Sequence, residues 1–502
     1  MKSRFSSVVI LAFWTSCTWA AQPAEFNFQA KLTDSNGAPL QGSHTLFFKL
    51  SRGSDELTAD GGTLLFSEDT SANITNGIVN HAVGTGANKS PSELSASMLR
   101  TDSPVFLQVS VDTTNNVVLP RTRLESVPFS IVSADGDARI ALEGGEVFPI
   151  TISASGSYYL TGNITGVATQ DGILITTSGV VLDLNGYSLI GKPNSGVGIH
   201  MTANLRSIEI RNGIITGGWS DAISAPDTVT DMFVHHIHAV GNRNGIEAGA
   251  GAMIEDCASE FNISNTGVIG IKVAESSVVR RCAVYSNSTT AANGACVGIE
   301  TGLACLVTEC VSIRNVAAGS GLSSGIRCSG ACRILNNVCR DNSTSGSGTA
   351  TTSGIDAGSG GEVSGNLCQN NSTNRPNVSV FGIVAGNDCH IFDNACIGNN
   401  ASGGTRSIGI GVDNRCRVEN NHCTAQTLAM NNFGIRVGTS TSSVGNLIIK
   451  NTTSTNATAG LRFENSTGSN YYAENIIDET TTVSQNGGSN VAGTGDRSNV
   501  AF

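Results

Sequence analysis

A short alternation of apolar and polar residues recurs from about residue 151 to residue 483. Each copy begins with a glycine-isoleucine pair, continues with a variable residue, and then has an apolar or small residue. Because neighbouring side chains of a β-strand point to opposite faces, this pattern predicts a strand with a buried isoleucine and an outward variable residue. The pairs are Gly172-Ile173, Gly198-Ile199, Gly245-Ile246, Gly270-Ile271, Gly298-Ile299, Gly325-Ile326, Gly354-Ile355, Gly382-Ile383, Gly409-Ile410 and Gly434-Ile435, with Ala222-Ile223 and Gly460-Leu461 in the same position.

Successive pairs lie 23 to 29 residues apart, and two more short apolar segments follow each pair. Examples of the second segment are Cys305-Leu306-Val307 and Cys389-His390-Ile391, and an asparagine-rich bend leads from it to the third. Three short strands cannot bury a core alone, so neighbouring units have to stack with every strand paired to its counterpart. The sequence therefore predicts an all-β protein with a parallel β-helix of about twelve coils over residues 151–483.

Three columns of identical side chains are expected to run along this stack. Stacked amides can hydrogen-bond to one another and to the backbone of the bend, which favours asparagine at these positions. The first asparagine column is Asn337, Asn366, Asn394, Asn421, Asn451 and Asn475, the second is Asn262, Asn287, Asn315, Asn342, Asn371, Asn399 and Asn456, and the cysteine column is Cys339, Cys368, Cys396 and Cys423.

The state of the cysteines is left open by the sequence. Cys257, Cys282 and Cys310 take the first asparagine position in earlier coils. One interpretation is a set of small buried side chains. The other is disulfides. These could join neighbouring coils, or they could lie within one coil, as in a bridge from Cys332 to Cys339. The thirteen cysteines that follow the N-terminal leader are an odd number, so they cannot all pair within one chain.

Residues 24–134 follow a different pattern. Apolar segments such as 45–50 and 105–111 are separated by Asn36-Gly37 and Asn76-Gly77, dipeptides that suit tight hairpins. This indicates a small antiparallel β-sandwich-like domain. Residues 135–150 are expected to be a connector, and residues 484–502 a C-terminal tail.

The first residues have the pattern of a secretory signal. Lys2 and Arg4 precede an apolar run over residues 8–14, and the small residues Ala20-Ala21 follow it. This pattern predicts a signal peptide over residues 1–21 and a secreted or cell-surface location. The sequence has no later segment that is long and apolar enough to span a bilayer.

Composition narrows the class of protein further. Charged residues make up 14% of the chain, against about 25% in an average soluble domain. Such low charge argues against long solvent-exposed helices and coiled coils. The net charge of -11 argues against a nucleic-acid partner.

Two segments near the start of the repeat carry a family resemblance. Gly156-Ser157-Tyr158-Tyr159-Leu160-Thr161-Gly162-Asn163 and Val180-Val181-Leu182-Asp183-Leu184-Asn185-Gly186-Tyr187 resemble the first coils of secreted bacterial proteins of the right-handed parallel β-helix, or pectate-lyase-like, superfamily. Residues 32–40 and 119–129 resemble an N-terminal β-domain that precedes such segments in many secreted bacterial proteins. The resemblance implies the fold, but this fold serves both enzymes and non-enzymes.

The outward residues after the glycine-isoleucine pairs are the first functional candidates. Glu247, Lys272, Glu300, Arg327 and Asp356 alternate in sign and would lie about 5 Å apart on neighbouring coils. One interpretation is a solvated ladder of ion pairs. The other is one wall of a polysaccharide groove, with these residues as catalytic candidates.

The superfamily resemblance bears on this second interpretation. Its uronate-cleaving members use carboxylates with calcium and a lysine or arginine on an outward sheet face. No cofactor is predicted, calcium stays possible, and no metal ligands can be assigned from the sequence.

A second group of candidates lies in an early, less regular coil. Trp219 beside Asp221 could stack on a sugar, and His236 and Arg243 are further candidates for substrate binding. Strict alternation would place His236 and His238 on the side of Val234. The alternative is that these are ordinary loop and sheet residues.

Complete catalytic signatures are missing from the sequence. The polygalacturonase motifs are absent, and so is the GxxxxGK[ST] motif. Coil lengths vary by only a few residues, whereas enzyme grooves are commonly walled by long insertions. We therefore predict a secreted or surface protein that binds polysaccharide or another extracellular partner without cleaving it. A polysaccharide lyase, epimerase or glycoside hydrolase and a structural or adhesive surface protein are the alternatives.

Overall fold

Strand pairing in the computed structural model follows the repeat of the sequence. The strand of each glycine-isoleucine pair lies parallel to, and in register with, that of the next coil, so that Ile299 pairs with Ile326 and Ile326 with Ile355. The predicted fold class is confirmed: a parallel β-helix of about 12 coils follows a small antiparallel β-domain.

The structure describes residues 26–34, 36–53, 57–92, 94, 104–124, 139–145, 147–290, 292–427, 429–438, 443–464, 468–479, 481, 483–485, 490–493 and 498–501. The chain divides into two compact units, residues 1–138 and residues 139–502. The predicted signal peptide lies outside the described residues. Within them, no helix is long and apolar enough to cross a membrane.

The first unit contains two antiparallel sheets around one core. The larger sheet has the strand order Ala87–Ser90, Thr63–Ile74, Gly42–Arg52, Val105–Val111 and Val117–Arg123. The smaller sheet pairs Phe26–Lys31 with Ile78–Val83. Phe48, Phe66 and Leu107 are among the buried side chains of the shared core.

Four parallel sheets form the walls of the second unit. Sheet 1 carries the glycine-isoleucine pairs and consists of Ile150–Ile152, Ile173–Ile175, Ile199–Met201, Asp221–Ser224, Asn244–Ala248, Val268–Val273, Cys296–Leu303, Ser323–Gly330, Thr352–Asp356, Ser379–Ala385, Arg406–Val412, Asn431–Val437, Ala459–Phe463 and Val483–Gln485. Sheet 4 is short and consists of Ile263–Ser264, Ser288–Thr289, Val316–Ala317, Ser343–Thr344, Ser372–Thr373 and Asn400–Ala401.

Sheets 2 and 3 meet at a bend, and the long strands Arg206–Thr216 and Thr230–Val240 run through both. The other strands of sheet 2 are Ile140–Leu142, Gly156–Leu160, Val180–Asp183, Met253–Glu255, Val278–Arg280, Leu306–Thr308, Arg333–Leu335, Glu362–Ser364, His390–Phe392, Arg417–Glu419, Leu447–Ile449, Tyr471–Ala473 and Val491–Ala492. Those of sheet 3 are Ile164–Thr165, Ser188–Ile190, Ala258–Glu260, Ala283–Tyr285, Val311–Ile313, Val338–Arg340, Leu367–Gln369, Ala395–Ile397, His422–Thr424, Thr452–Ser454, Ile476–Asp478 and Val500–Ala501.

The parallel pairing extends beyond the predicted limits of 151 and 483. Ile140–Leu142 pairs with Gly156–Leu160, inside the predicted connector. Val491–Ala492 and Val500–Ala501 pair with earlier strands, inside the predicted tail. These terminal strands lack the glycine-isoleucine pair, so the sequence pattern did not include them.

Glycine precedes the isoleucine because the strand is irregular at that point. The pairing skips Gly325, while Ser324 and Ile326 on either side are both paired. A Cβ atom on Gly325 would lie 2.6 Å from the carbonyl oxygen of Gly354 in the next coil. The absence of a side chain at Gly325 therefore lets successive coils approach closely, and Ile326 is fully buried.

A residue with positive φ turns the chain from sheet 2 into sheet 3 and interrupts the alternation of the strands. The prediction that His236 lies on the same side of the strand as Val234 was therefore wrong. His236 occupies this bend with a φ of 54° and is exposed. Val234 and Ile237 are buried, whereas His235 and His238 face outward. The bend residues are Asn185, Asn212, His236, Asp256, Arg281, Glu309, Asn336, Gly365, Asp393, Asn420, Lys450 and Glu474.

Both predicted asparagine columns form continuous hydrogen-bonded ladders. Asn421 Nδ2 donates to Asn451 Oδ1 at 2.9 Å, and the backbone N–H of Asn421 donates to the same oxygen at 3.0 Å. Asn421 Nδ2 also donates to the carbonyl of Ile391 in the preceding coil, at 2.9 Å. In the second column, Gln426 takes the place between Asn399 and Asn456, which the sequence pattern missed.

The cysteines beyond Cys17 are free and buried in the structure, and no disulfide joins any two of these thirteen. Cys282 Sγ donates to the carbonyl of Ile254 in the preceding coil, at 3.7 Å. Asn337 Nδ2 makes the equivalent bond to Val307, at 3.0 Å. Cys257, Cys282 and Cys310 thus act as weak donors in an asparagine position.

The column Cys339, Cys368, Cys396 and Cys423 is different in kind. Its members pair in register and belong to the apolar core. Burial raises the pKa of the Cys368 and Cys396 thiols. These thiols therefore pack as small apolar groups and stay protonated.

Removing one amide from a ladder is expected to destabilise the β-helix. Asn421→Ala should lower the free energy of unfolding by about 1–3 kcal/mol, because buried partners lose their hydrogen bonds. His422→Ala changes the adjacent exposed residue and should cost less than about 0.5 kcal/mol. Urea denaturation of both variants checks this, and equal effects would contradict the role of the ladder.

Substitution by asparagine is expected to have opposite effects on stability at the two kinds of cysteine. Cys310→Asn should be neutral or stabilising, because Asn337 Oδ1 in the next coil already accepts from the backbone N–H of Cys310. Cys396→Asn should lower the thermal midpoint, because it places an amide in an apolar column. Calorimetry of both variants measures the difference, and the same shift in both would argue against two distinct columns.

Candidate functional site

The outward residues of sheet 1 form one continuous column, as the pattern predicts. Ser224 pairs with Glu247, Glu247 with Lys272, Lys272 with Glu300, Glu300 with Arg327, and Arg327 with Asp356. We call Glu247, Lys272, Glu300, Arg327 and Asp356 the charged ladder. Neighbouring rungs are about 4.8 Å apart, the spacing of paired strands.

Opposite charges in the ladder are in contact. Lys272 Nζ lies 2.5 Å from Glu247 Oε1. Arg327 NH1 lies 3.5 Å from Glu300 Oε1, and Arg327 Nε lies 3.9 Å from Asp356 Oδ2. The side chains of Lys272 and Arg327 are each 41% exposed, so both are screened by water but remain available to a ligand.

Lys272 is poorly suited to act as a base. Its hydrogen bond to the Glu247 carboxylate raises the pKa of the ammonium group above its ordinary value. The group therefore carries its proton at neutral pH and serves as a hydrogen-bond donor. Of the roles the sequence left open for Lys272, binding fits this geometry better than proton abstraction.

A second carboxyl group lies beside the start of the ladder. Asp221 Oδ1 accepts a hydrogen bond from Asn244 Nδ2 at 3.0 Å. Burial raises the pKa of Asp221, and the negative charge of Glu247 adds to this. Glu247 is itself held by Lys272 and by a hydrogen bond from Ser224 Oγ at 3.0 Å. Asp221 is thus harder to ionise than an exposed aspartate, and it lies beside a carboxylate that is paired with a cation.

The far end of the ladder also holds a partly buried acid. Burial raises the pKa of Asp356, while the positive charge of Arg327 opposes this shift. Val384 and Gly411 continue the column without charge. The charged ladder therefore has a defined end at Asp356.

Two carboxylates that pair with outward residues of sheet 1, Asp171 and Glu464, were missed by the sequence analysis. His200 Nδ1 lies 2.7 Å from Asp171 Oδ2, one coil before Ser224. At the other end of sheet 1, Glu464 is contacted by three arginines, with Arg436 NH2 at 2.6 Å. The others are Arg462 at 3.3 Å and Arg406 at 3.6 Å.

Trp219 does not lie on the surface, so its predicted role in stacking on a sugar was wrong. The side chain is fully buried in the core. Its ring lies over Gly166 and Gly191, where a Cβ atom would come within 2.3 Å and 2.9 Å of the indole. Trp219 Nε1 donates to the carbonyl of Leu189 at 3.3 Å. The glycines of the earlier coils leave the space that this large residue fills.

The other early candidates are divided between two walls. Arg243 is exposed, and its charge opposes the rise in the pKa of Asp221. His236 is exposed at the bend between sheets 2 and 3, where its Nδ1 lies 2.8 Å from His235 Nδ1. The structure therefore brings Asp221 and Arg243 towards the charged ladder but leaves His236 elsewhere.

Among the described residues, no group of three or more histidine, cysteine, aspartate or glutamate side chains could hold a metal ion. The carboxylates of the ladder are instead paired with Lys272 and Arg327.

A family model described as a domain of unknown function (DUF8740) matches residues 27–121, within the first compact unit. No curated protein matches the chain. The fold and the charged ladder therefore define this chain as a parallel β-helix protein with a polar outer strip.

Several solved structures share features of the fold. The catalytic unit of a GH87 α-1,3-glucanase from Streptomyces thermodiastaticus is 12% identical, covers 97% of this chain and 94% of its own, and has a TM-score of 0.26. A mutant tailspike protein of E. coli bacteriophage HK620, in complex with a pentasaccharide, is 14% identical. The match covers 74% of this chain and 72% of the tailspike chain, with a TM-score of 0.34. The A-module of the Azotobacter vinelandii mannuronan C-5 epimerase AlgE6 is 13% identical. The match covers 70% of this chain and 90% of the A-module chain, with a TM-score of 0.24. Similarity at this level says nothing about the ligand of this chain.

The raised pKa of Asp221 predicts a pH-dependent stability. Since the folded-state pKa lies above the ordinary value of 3.8, ionising this group costs folding free energy. The cost is absent below that value and grows as the pH rises through the folded-state pKa. Asp221→Asn should therefore raise the thermal midpoint at pH 7 and leave it nearly unchanged at pH 3.

Thermal unfolding of wild type and variant at both pH values measures this effect. The exposed Asp227 in the same coil supplies the control, and Asp227→Asn should show no such difference. A gain for Asp221→Asn that is equal at pH 3 and pH 7 would show that burial does not raise the pKa of this carboxyl group.

Proposed function

We propose that this chain binds an extended polysaccharide along the charged ladder of sheet 1 without cleaving it. The observation that carries the proposal is the regular alternation of half-exposed acceptors and donors on a rigid sheet. Sugar hydroxyls both donate and accept hydrogen bonds, so a chain of sugars can use carboxylate and cationic rungs in turn. Because each rung is already ion-paired, binding need not leave a charge unpaired.

The charge balance favours a glycan over a nucleic acid. The ladder holds three carboxylates and two cations, and the whole chain has a net charge of -11. A phosphate backbone would be repelled by this surface. The rungs alternate in sign, so a neutral or weakly charged polymer fits them best.

Catalysis by Asp221 and Glu247 is the second candidate function. A protonated carboxyl group beside an ionised carboxylate is the arrangement that glycoside hydrolysis uses for its acid and its base or nucleophile. The raised pKa of Asp221 favours this candidate. Binding without cleavage ranks first because Glu247 is already engaged by Lys272 and Ser224.

A location outside the cell is part of the same proposal. It rests on the signal-like residues 1–21, with Lys2, Arg4 and the apolar run over 8–14. N-terminal sequencing of the protein recovered from the medium or cell surface of an expressing bacterium should show cleavage after residue 20 or 21. An uncleaved chain retained in the cytoplasm would contradict this part.

The binding proposal is tested with a panel of neutral and uronate-containing polysaccharides, by affinity electrophoresis and calorimetry, with calcium and with a chelator. The double variant Glu300→Gln with Arg327→Met should lower the affinity about tenfold, because it removes two charged hydrogen-bonding groups. Arg333 and Glu362 form a matched ion pair on sheet 2, at 3.0 Å. Changing that pair to Met and Gln should leave the affinity unchanged.

The same samples are assayed for unsaturated products and new reducing ends. No product should form. Equal losses of affinity in both double variants, or no binding to any polysaccharide, would contradict the proposal. Product formation that disappears in both Asp221→Asn and Glu247→Gln would replace binding with the catalytic candidate.

A further inference from the structure

Phe261 is an exposed aromatic residue at a strained position. Its φ is 53°, and it is 52% exposed at the corner that follows sheet 3. The same position in the next four coils is held by Ser286, Arg314, Asp341 and Asn370. A bulky residue in the left-handed region costs conformational energy, and its exposed ring gives up the stabilisation of burial. Stability alone therefore does not account for a phenylalanine here.

Other apolar side chains extend this surface. The rings of Phe261 and Tyr285 meet edge to face, with their centroids 5.7 Å apart and their planes at 79°. Ile263, two residues further along the chain, is 55% exposed. We call Phe261, Tyr285 and Ile263 the aromatic patch.

A carboxylate with an unused acceptor lies at the edge of this patch. Glu260 directly precedes Phe261, pairs in register with Tyr285 and is only 5% exposed. Its Oε1 is in contact with His238 Nε2. Its Oε2 is buried and has no hydrogen-bond partner among the described residues. An unpaired buried carboxylate oxygen is costly, so a hydrogen bond to this atom would stabilise it. Because Oε2 is buried, the Glu260 side chain has to turn outward to accept a hydrogen bond from a bound molecule.

We propose that the aromatic patch and Glu260 form a binding site for one pyranose residue of a neutral glycan. The C–H face of the ring packs on Phe261 and Tyr285, and a hydroxyl group donates to Glu260 Oε2 after the carboxylate has turned towards the surface. The partly exposed imidazole of His238 lies beside the same hydroxyl position and keeps Glu260 in place. The negative charge of Glu260 disfavours uronates and sulfated sugars.

This site lies on sheet 3 and its corner, on a different wall of the β-helix from the charged ladder of sheet 1. It does not depend on the function proposed for the ladder. If both sites bind, the chain holds glycan on two walls.

The proposal is tested with the full chain and neutral oligosaccharides of glucose, galactose, mannose and N-acetylglucosamine. Saturation-transfer NMR and calorimetry measure the binding. Phe261→Ser introduces the residue that the next coil has in this position, so the variant should fold with an unchanged or higher thermal midpoint. Its affinity for the bound oligosaccharide should fall about tenfold, through loss of the stacking contact.

Leu303→Ser is the matched control, since Leu303 is also 52% exposed but lies at the end of a sheet 1 strand. It should leave the affinity unchanged. Glu260→Gln, which replaces one acceptor oxygen with a donor, should weaken the same binding. The double variant of Glu300 and Arg327 should not alter it, which separates this site from the ladder.

Two results would overturn the proposal. One is that no neutral oligosaccharide binds the full chain. The other is that an oligosaccharide binds with the same affinity in wild type and Phe261→Ser.

Discussion

In-register stacking of successive coils is the constraint on which the whole second unit depends. Every side chain meets its counterpart in the next coil at about 4.8 Å. At that distance like charges repel, while amides and apolar groups gain by repetition. Three sets of residues stack favourably at this spacing: the asparagine ladders, the cysteine columns and the buried isoleucines. The low charge of the chain follows from it, because a stacked charge needs an opposite charge close by. Arg436 and Arg462, which pair in register, both contact Glu464.

The same constraint makes the outer strip of sheet 1 a regular surface. Glu247, Lys272, Glu300, Arg327 and Asp356 alternate in sign because stacked carboxylates alone would repel one another. This pairing stabilises the fold and also presents donors and acceptors at a fixed repeat. A structural role and a binding role are therefore compatible in the same residues, which is why ion pairing by itself does not argue against a ligand.

The regular part of the fold was accessible from the sequence because glycine, isoleucine and asparagine recur at fixed positions. The register of the charged ladder followed from the repeat alone. Trp219 was not accessible in this way, since the space it fills is created by glycines of earlier coils. The orientation of His236 was missed because strict alternation ignores the left-handed bend. Cysteine and asparagine exchange within one column because each donates to the carbonyl at the equivalent position of the preceding coil.

The candidate site was predictable only in part. The repeat placed the five ladder residues in one column, whereas the proximity of Asp221 to Glu247 depends on where one irregular coil sits against the next. Asp171 and His200 flank glycine-isoleucine pairs in the sequence, a signal that could have been followed. The exposure of Phe261 and the unpaired oxygen of Glu260 are visible only in three dimensions.

A crystal structure of the full chain with a bound oligosaccharide tests the proposed glycan site on sheet 1 most directly. Binding along the charged ladder should give density for successive sugar residues that runs parallel to the helix axis, with hydroxyl groups within hydrogen-bonding distance of the side chains from Glu247 to Asp356. Density confined to other walls, or sugar that makes no contact with these five residues, would contradict it.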